Sequence, residues 1–217
     1  MKVYAINGSP RKNENTATLL KKALEGVNAS APNEEIETEI INLYDLNYTG
    51  CKSCFACKRI GSKSYGKCAI RDDLHDVLEK LADADGIIFG SPIYFSSVTA
   101  ALQGFFERFI FQYFLYDKNY TGLAPKKMPT AFIYTMNATK EFVESNNYLS
   151  QINGFEPIVG MIFKQPLVMH SYNTYQFDDY SKYETSAFSE EEKRKQREIQ
   201  FPLDCEEAFN LGKNLLK

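Results

Sequence analysis

Short apolar runs alternate with segments of helical periodicity along this chain, and the alternation constrains its fold more than any other feature. The runs predicted to be β-strands are residues 2–6, 36–43, 86–90, 129–136 and 156–164. Between them, helices are predicted near residues 16–27, 72–81, 98–116 and 140–154. After the last strand, a charged helix is predicted over residues 190–198 and an amphipathic one near residues 203–216. Because βαβ crossovers are right-handed, such a chain places helices on both faces of a parallel sheet. The sequence therefore predicts a doubly wound, five-stranded α/β fold.

The character of each run predicts its place in the sheet. Residues 86–90 (Gly-Ile-Ile-Phe-Gly) are continuously apolar, which is typical of a central strand buried on both faces. Residues 36–43 alternate apolar and polar side chains, as a strand near the sheet edge does. The helix over residues 98–116 is apolar on most sides and should be buried or lie in a dimer interface.

Composition and charge exclude several functional classes. The 217 residues carry a formal net charge of −3, so nothing favours nucleic acid or a membrane as a partner. No run of about 20 apolar residues occurs, and the apolar N-terminal segment is too short for a secretory signal. We expect a single cytoplasmic domain over residues 1–217. Its polar, Tyr-rich stretch at residues 165–202 is longer than ordinary loops, which indicates a functional or mobile segment.

The loop after the first strand has the composition of an anion site. Gly8-Ser9-Pro10-Arg11 leads into a helix that Asn15 or Thr16 can cap. Loop amides and the helix N-terminus can converge on an anion, the hydroxyls of Ser9 and Thr16 add donors, and Arg11 adds a fixed charge. The loop lacks the endings of a P-loop and of a dinucleotide fingerprint, which favours a single terminal phosphate. The alternative is an ordinary strand-to-helix turn.

A second loop, Ser91-Pro92-Ile93-Tyr94-Phe95, follows the third predicted strand. In a flavodoxin-like strand order, 2-1-3-4-5, the first and third strands are neighbours, and ligands bind at that switch point. The two loops, with Val-Thr-Ala at residues 98–100 and Phe-Glu-Arg at residues 106–108, resemble the NADPH-dependent FMN reductase family. Within that family, the chain is similar to the flavodoxin-fold oxidoreductases that include the iron–sulfur flavoproteins. The resemblance covers residues 1–165.

The resemblance implies FMN as cofactor, NAD(P)H as reductant and a homodimer or dimer of dimers. It implies that the phosphate and ribityl chain would be held by Ser9, Arg11, Asn15, Thr16 and Ala17. The isoalloxazine edge would follow Pro92, Ile93, Tyr94 and Phe95, largely through backbone groups. The third side of the pocket would be formed by Thr135, Met136 and Asn137. The chain departs from the family at Gln103, where Lys is usual, and this affects packing or dimerisation before chemistry.

The loop at residues 50–70 concentrates four of the five cysteines: Cys51, Cys54, Cys57 and Cys68. Four thiolates are the number that a [4Fe–4S] cluster needs, although the spacing before the last one is longer than in the iron–sulfur flavoproteins. Zinc is another four-thiolate possibility. The third interpretation is that the thiols hold no metal and stay free beside the flavin or act as a redox pair.

Candidate acid–base groups are sparse. His75 and His170 have no sequence partner, and Asp72-Asp73 indicates a helix start rather than a carboxylate pair. Because the flavin would carry the chemistry, no catalytic side chain is predicted. The main hypothesis is an FMN-dependent NAD(P)H oxidoreductase that reduces a quinone, a nitro compound, free flavin or a redox protein. The alternatives are an iron–sulfur flavoprotein served by a protein donor such as ferredoxin, and a non-enzymatic flavin-binding module.

Overall fold

A computed structural model describes residues 1–152 and 154–217. All neighbouring strands of its sheet run parallel, in the order β2-β1-β3-β4-β5. The strands are β1 (Lys2–Asn7), β2 (Glu37–Asn42), β3 (Gly86–Pro92), β4 (Thr130–Thr135) and β5 (Leu167–Ser171). The predicted doubly wound, flavodoxin-like fold is confirmed, with β3 at the centre and β2 at an edge.

Helices cover both faces of the sheet. They are α1 (Asn15–Ser30), α2 (Asp73–Ala82), α3 (Ala100–Tyr113), α4 (Lys140–Ser145), α5 (Leu149–Ile152), α6 (Glu156–Ile162), α7 (Glu190–Lys195) and α8 (Phe201–Leu215). Apolar side chains of α1 and α8 form the core on one face. Those of α2, α3 and α6 form the core on the other, where the rings of Phe105, Phe106 and Phe109 surround Phe89. Among the described residues, no helix is long and apolar enough to cross a bilayer.

The backbones of α1 and α8 touch, and two glycines permit the contact. A Cβ on Gly212 would lie 1.8 Å from the carbonyl oxygen of Ala23, and one on Gly26 would lie 1.9 Å from that of Phe209. Both distances are far below van der Waals contact, so only glycine fits at either position. This close packing fixes α8 against α1, the helix that follows the loop after β1.

The prediction for residues 156–164 was wrong, because this segment is helix α6 and not the fifth strand. Glu156-Pro157 is a helix start, since proline is favoured in the first turn and an acidic residue there suits the helix dipole. Val159 and Ile162 then fall three residues apart on the buried side. The fifth strand is Leu167–Ser171, and His170 lies within it.

Two further helix predictions need adjustment. The helix predicted over residues 140–154 is two short helices, α4 and α5, and its residue 153 lies outside the described residues. The helices predicted over residues 190–198 and 203–216 are continuous, because a π-helical segment, Gln196–Gln200, joins α7 to α8. Such π segments are rare and occur often at functional sites.

Candidate functional site

The loops that follow β1, β3, β4 and β5 enclose one pocket at the switch point of the sheet. Every predicted cofactor residue except Ala17 and Phe95 lines it, together with Glu14, Thr174, Tyr175 and Gln176. The side chain of Ala17 is buried in the first turn of α1, so only its backbone can face the pocket. The structure therefore brings together the three loops that were expected to form the sides of one pocket.

The phosphate loop, defined as residues 8–16, is ordered by its own polar groups. The amide of Ser9 donates to Asn7 Oδ1 at 3.0 Å, and the amide of Arg11 donates to Ser9 Oγ at 3.1 Å. Thr16 Oγ1 lies 2.8 Å from Thr135 Oγ1, across the pocket floor. The side chains of Ser9 and Thr16 are both buried.

Helix α1 begins without a side-chain cap. Its N-cap residue is Glu14, whose carboxylate accepts no hydrogen bond from the first turn. Thr99, Thr139 and Ser189 each accept a backbone hydrogen bond at the start of their helices, whereas α2 and α6, like α1, begin without a side-chain cap hydrogen bond. The first amides of a helix have no intrahelical partner. Those of α1 therefore remain free of side-chain capping and lie beside the pocket, together with the positive end of the helix dipole.

The loop after β3 is tied to the phosphate loop. Thr99 Oγ1 donates to the carbonyl of Gly8 at 2.7 Å, and the amide of Gly8 donates to the carbonyl of Gly90 at 2.8 Å. At the tip, Phe95 and Ser96 both adopt left-handed backbone angles, with φ of 49° and 65°. The side chain of Phe95 is fully exposed beside the half-exposed Tyr94. These two rings stand at the edge of the pocket.

Part of the Tyr-rich stretch, which the sequence indicated as functional or mobile, covers the pocket. We call residues 172–176 the strap. The side chain of Arg11 donates to the carbonyl of Gln176 at 2.5 Å, and that of Asn15 donates to the carbonyl of Tyr175 at 2.8 Å. At its base, the amide of Thr174 donates to the carbonyl of Met136 at 3.0 Å. The only sequence signal for the strap was the length and Tyr content of the 165–202 stretch.

Two basic residues of the helical segment 190–200 also donate hydrogen bonds to residues of the site, and neither was predicted from the sequence. Lys193 is completely buried and donates to the carbonyl of Asn137 at 2.9 Å. Burial lowers the pKa of Lys193 to about 8. Arg197 donates to Asn15 Oδ1 at 3.0 Å. In the sequence both lie in a charged run that resembles a solvated helix face, so no local pattern could distinguish them.

The cysteine loop, residues 50–70, packs on α3 away from the pocket residues. All its thiols are free: Cys57 is buried, Cys51 and Cys68 are half-buried, and Cys54 is exposed. Burial raises the pKa of Cys57, and negative charge on the other three thiols raises it further. Cys57 thus lies within electrostatic reach of each of the other three thiols. In the described part of the chain, however, no three Cys, His, Asp or Glu side chains are arranged to hold a metal ion.

Arg108 holds both ends of the cysteine loop. Its buried guanidinium donates to Asp72 at 2.6 Å, to the carbonyls of Thr49 and Ile70 at 3.2 and 3.3 Å, and to Cys68 Sγ at 3.4 Å. Burial raises the pKa of Asp72, but the hydrogen bond and the positive charge of Arg108 lower it. The pKa of Asp72 therefore lies below its usual value. Asp72 is also the N-cap of α2, which confirms the predicted helix start.

The model of the NADPH-dependent FMN reductase family matches residues 1–167. The chain belongs to this family. An iron–sulfur flavoprotein of Methanocaldococcus jannaschii is 44% identical over 108 residues, which are 50% of this chain and 51% of that protein. One from Archaeoglobus fulgidus is 41% identical over 108 residues, 50% of this chain and 48% of that protein. The family member described here spans about half the length of the curated relatives it matches.

Solved structures share its fold across nearly the whole chain. An NAD(P)H:quinone oxidoreductase from Methanothermobacter marburgensis has a TM-score of 0.68 at 16% identity and covers 100% of this chain and 98% of its own. The azoreductase AzrA has a TM-score of 0.64 at 13% identity, with 98% and 99% covered. At these identities the likeness establishes the fold of this family member and nothing finer.

Proposed function

We propose that this chain is an FMN-dependent oxidoreductase that takes electrons from NAD(P)H and passes them to a small acceptor such as a quinone, a nitro compound or free flavin. The observation that carries the proposal is the uncapped N-terminus of α1 beside buried Ser9 and Thr16 hydroxyls, at the switch point of a family member. The relatives' names, quinone oxidoreductase and azoreductase, support flat acceptors of this kind.

The residues around the phosphate loop fit a phosphate dianion. The amides of the first α1 turn and the hydroxyls of Ser9 and Thr16 would donate to its oxygens, and Arg11 would add a positive charge. Arg11 and Asn15 currently donate to the strap. At about 120 Å³ the pocket is smaller than the roughly 300 Å³ or more of typical ligand pockets. FMN binding therefore requires the outer strap to move and to release these two side chains.

The rest of the pocket suits a flat ring system. Pro92, Ile93 and Met136 offer apolar surface and backbone groups, and Tyr94 stands half-exposed at the rim with Phe95 fully exposed next to it. FMN, when bound, would supply the electron-transfer chemistry, so the side chains need only orient the rings and exclude water. Tyr94 and Phe95 would stack on a flat acceptor. We expect ping-pong kinetics, because the nicotinamide and the acceptor would bind over the same exposed face.

Arg11→Ala tests the phosphate assignment. Loss of one charge-assisted contact should weaken FMN binding by about tenfold or more, measured by quenching of flavin fluorescence. Lys12→Ala is the matched control, because Lys12 is the exposed neighbour and pairs with Asp45 instead. Equal effects of the two substitutions would show that the phosphate lies elsewhere.

Anaerobic stopped-flow mixing with NADH and NADPH tests the enzymatic assignment. Bleaching of the bound flavin by either nucleotide is the expected result. A flavin that neither nucleotide bleaches would favour the non-enzymatic flavin-binding module.

The second candidate function is that of an iron–sulfur flavoprotein fed by a protein donor such as ferredoxin. It is favoured by the four grouped thiols and by the names of the curated relatives. Four thiols are the donor set of a [4Fe–4S] cluster or of zinc, but in the described residues they are not arranged around a common metal position. Anaerobic purification with iron, sulfide and zinc analysis separates the outcomes. A brown protein with broad absorption near 400 nm supports the cluster, and flavin bands alone support free thiols.

We further propose a cytoplasmic homodimer or dimer of dimers. The five free cysteines fit a reducing compartment. An apolar groove beside α3, lined by Phe111, Phe114, Tyr116 and Ile158 among others, offers a surface for a second copy. Light scattering after size-exclusion chromatography should give at least twice the mass of the chain, and a monomer at all concentrations would contradict this.

A further inference from the structure

Lys193 on α7 is a buried ammonium without an acidic partner. Its side chain is completely buried, and none of the ion pairs among residues 1–152 and 154–217 includes it. A charge in such a place is costly unless hydrogen bonds replace its hydration. The groups that accept hydrogen bonds from this ammonium therefore indicate the role of Lys193.

Oxygen atoms from two loops surround the ammonium. Lys193 Nζ donates to the carbonyl of Asn137 at 2.9 Å, to Asn137 Oδ1, and to the carbonyl of Thr174 at 3.4 Å. Asn137 belongs to the loop after β4, and Thr174 is the base of the strap. Lys193 thus links the two loops that form these sides of the pocket, although Lys193 itself does not line the pocket.

The two walls also bond to each other. Both the amide and the hydroxyl of Thr174 donate to the carbonyl of Met136, at 3.0 and 3.2 Å, and the amide of Asn173 donates to the carbonyl of Ala138 at 2.8 Å. The base of the strap is therefore fixed to the loop after β4. Its outer part, by contrast, depends on the side chains of Arg11 and Asn15.

The same helical segment contacts the phosphate loop. Four residues after Lys193, Arg197 donates to Asn15 Oδ1. Its neighbour in the π-helical segment, Gln196, faces Asp204, which in turn accepts from Ser171 at the end of β5. One helix thereby reaches the loops after β1, β4 and β5.

We propose that Lys193 is a positioning residue of the cofactor site, whose ammonium fixes the loop after β4 to the base of the strap while the outer strap opens for FMN. This inference rests on the proposed function, because it assumes that FMN occupies the pocket. Helix α7 lies outside the residues matched by the family model, and this role gives it a direct part in shaping the pocket.

The test compares three variants with the wild-type chain. Lys193→Met keeps the length and removes the charge and donors, Lys193→Arg restores both, and Lys195→Met is the control. Lys195 lies on the same helix, is exposed, and pairs with Glu191. For each variant we would measure the Kd for FMN, the visible circular dichroism of bound FMN, and urea unfolding of the FMN-free protein.

We expect Lys193→Met to weaken FMN binding by roughly tenfold to a hundredfold and to change the flavin dichroism, because the wall facing the ring loses its anchor. Lys193→Arg should recover most of both signals, and Lys195→Met should match the wild type. If Lys193→Met does not fold, Lys193→Gln, which keeps a donor, takes its place with the same expected direction.

Unchanged Kd and dichroism in a Lys193 variant that is merely less stable would overturn the inference, since Lys193 would then be only structural. That result leaves the proposed function intact. A wild-type chain that binds no FMN would instead overturn the proposed function and this inference together.

Discussion

At the scale of single residues, the turn at Phe95 and Ser96, next to the pocket, has a strained backbone. Both residues take left-handed backbone angles that glycine adopts more readily. The turn is closed by paired hydrogen bonds between Tyr94 and Ser97, and the amide of Ser96 donates to the hydroxyl of Tyr148 at 2.9 Å. These contacts keep the turn in this conformation next to Tyr94, which lines the pocket.

Replacement of Ser96 by glycine should relieve part of this cost. The hydrogen bond to Tyr148 uses the backbone amide of residue 96, so the variant keeps it. Ser96→Gly should therefore raise the free energy of unfolding by about 0.5–1 kcal/mol. Urea unfolding checks this, with Ser97→Gly as the control, since Ser97 has no positive φ. A Ser96→Gly variant that is no more stable than the wild type, or that changes as Ser97→Gly does, would mean that Ser96 is not strained.

At the scale of elements, the contrast between α6 and β5 shows what the sequence could and could not indicate. Strands β1, β3 and β4 were located within one or two residues at each end, because burial on both faces leaves a continuous apolar run. The edge strand β2 was located within one residue from its alternating pattern. Residues 156–164 carry the same apolar, β-branched composition, but Pro157 and the spacing of Val159 and Ile162 make a helix there. The true fifth strand is short and includes His170, so its apolar signal is weak.

The N-terminus of α6 gives a prediction that depends on pH. Glu156 is buried, and burial raises its pKa more than the neighbouring Tyr134 hydroxyl lowers it. The folded state therefore favours the protonated form, and the stability that this form contributes is lost as pH rises from the unfolded pKa through the folded one. Glu156→Gln, which is always neutral, should be more stable than the wild type by about 1 kcal/mol at pH 8.

Urea unfolding at pH 5 and pH 8 checks this prediction. The advantage of Glu156→Gln should shrink toward pH 5, and Glu144→Gln, at an exposed site on α4, should show no such dependence. An advantage that is the same at both values of pH would contradict the assignment of a raised pKa.

At the scale of the whole molecule, the site is assembled from segments that are far apart in the chain. The loops after β1, β3 and β4 could be predicted, because glycine, proline and hydroxyl residues at the ends of buried strands are local signals that the strand order then brings together. The strap and Lys193 could not, because their role depends on where the C-terminal helix packs. That packing is set by Gly26 and Gly212 at backbone contacts that no periodicity reveals.

The central claim is that the phosphate loop binds the phosphate of FMN. The most direct test is to compare, by titration calorimetry, the Kd of the wild-type chain for FMN and for riboflavin, which lacks only that phosphate. FMN should bind at least about a hundredfold more tightly than riboflavin, and Arg11→Ala should reduce the ratio of the two Kd values. Equal affinity for the two flavins would contradict the claim.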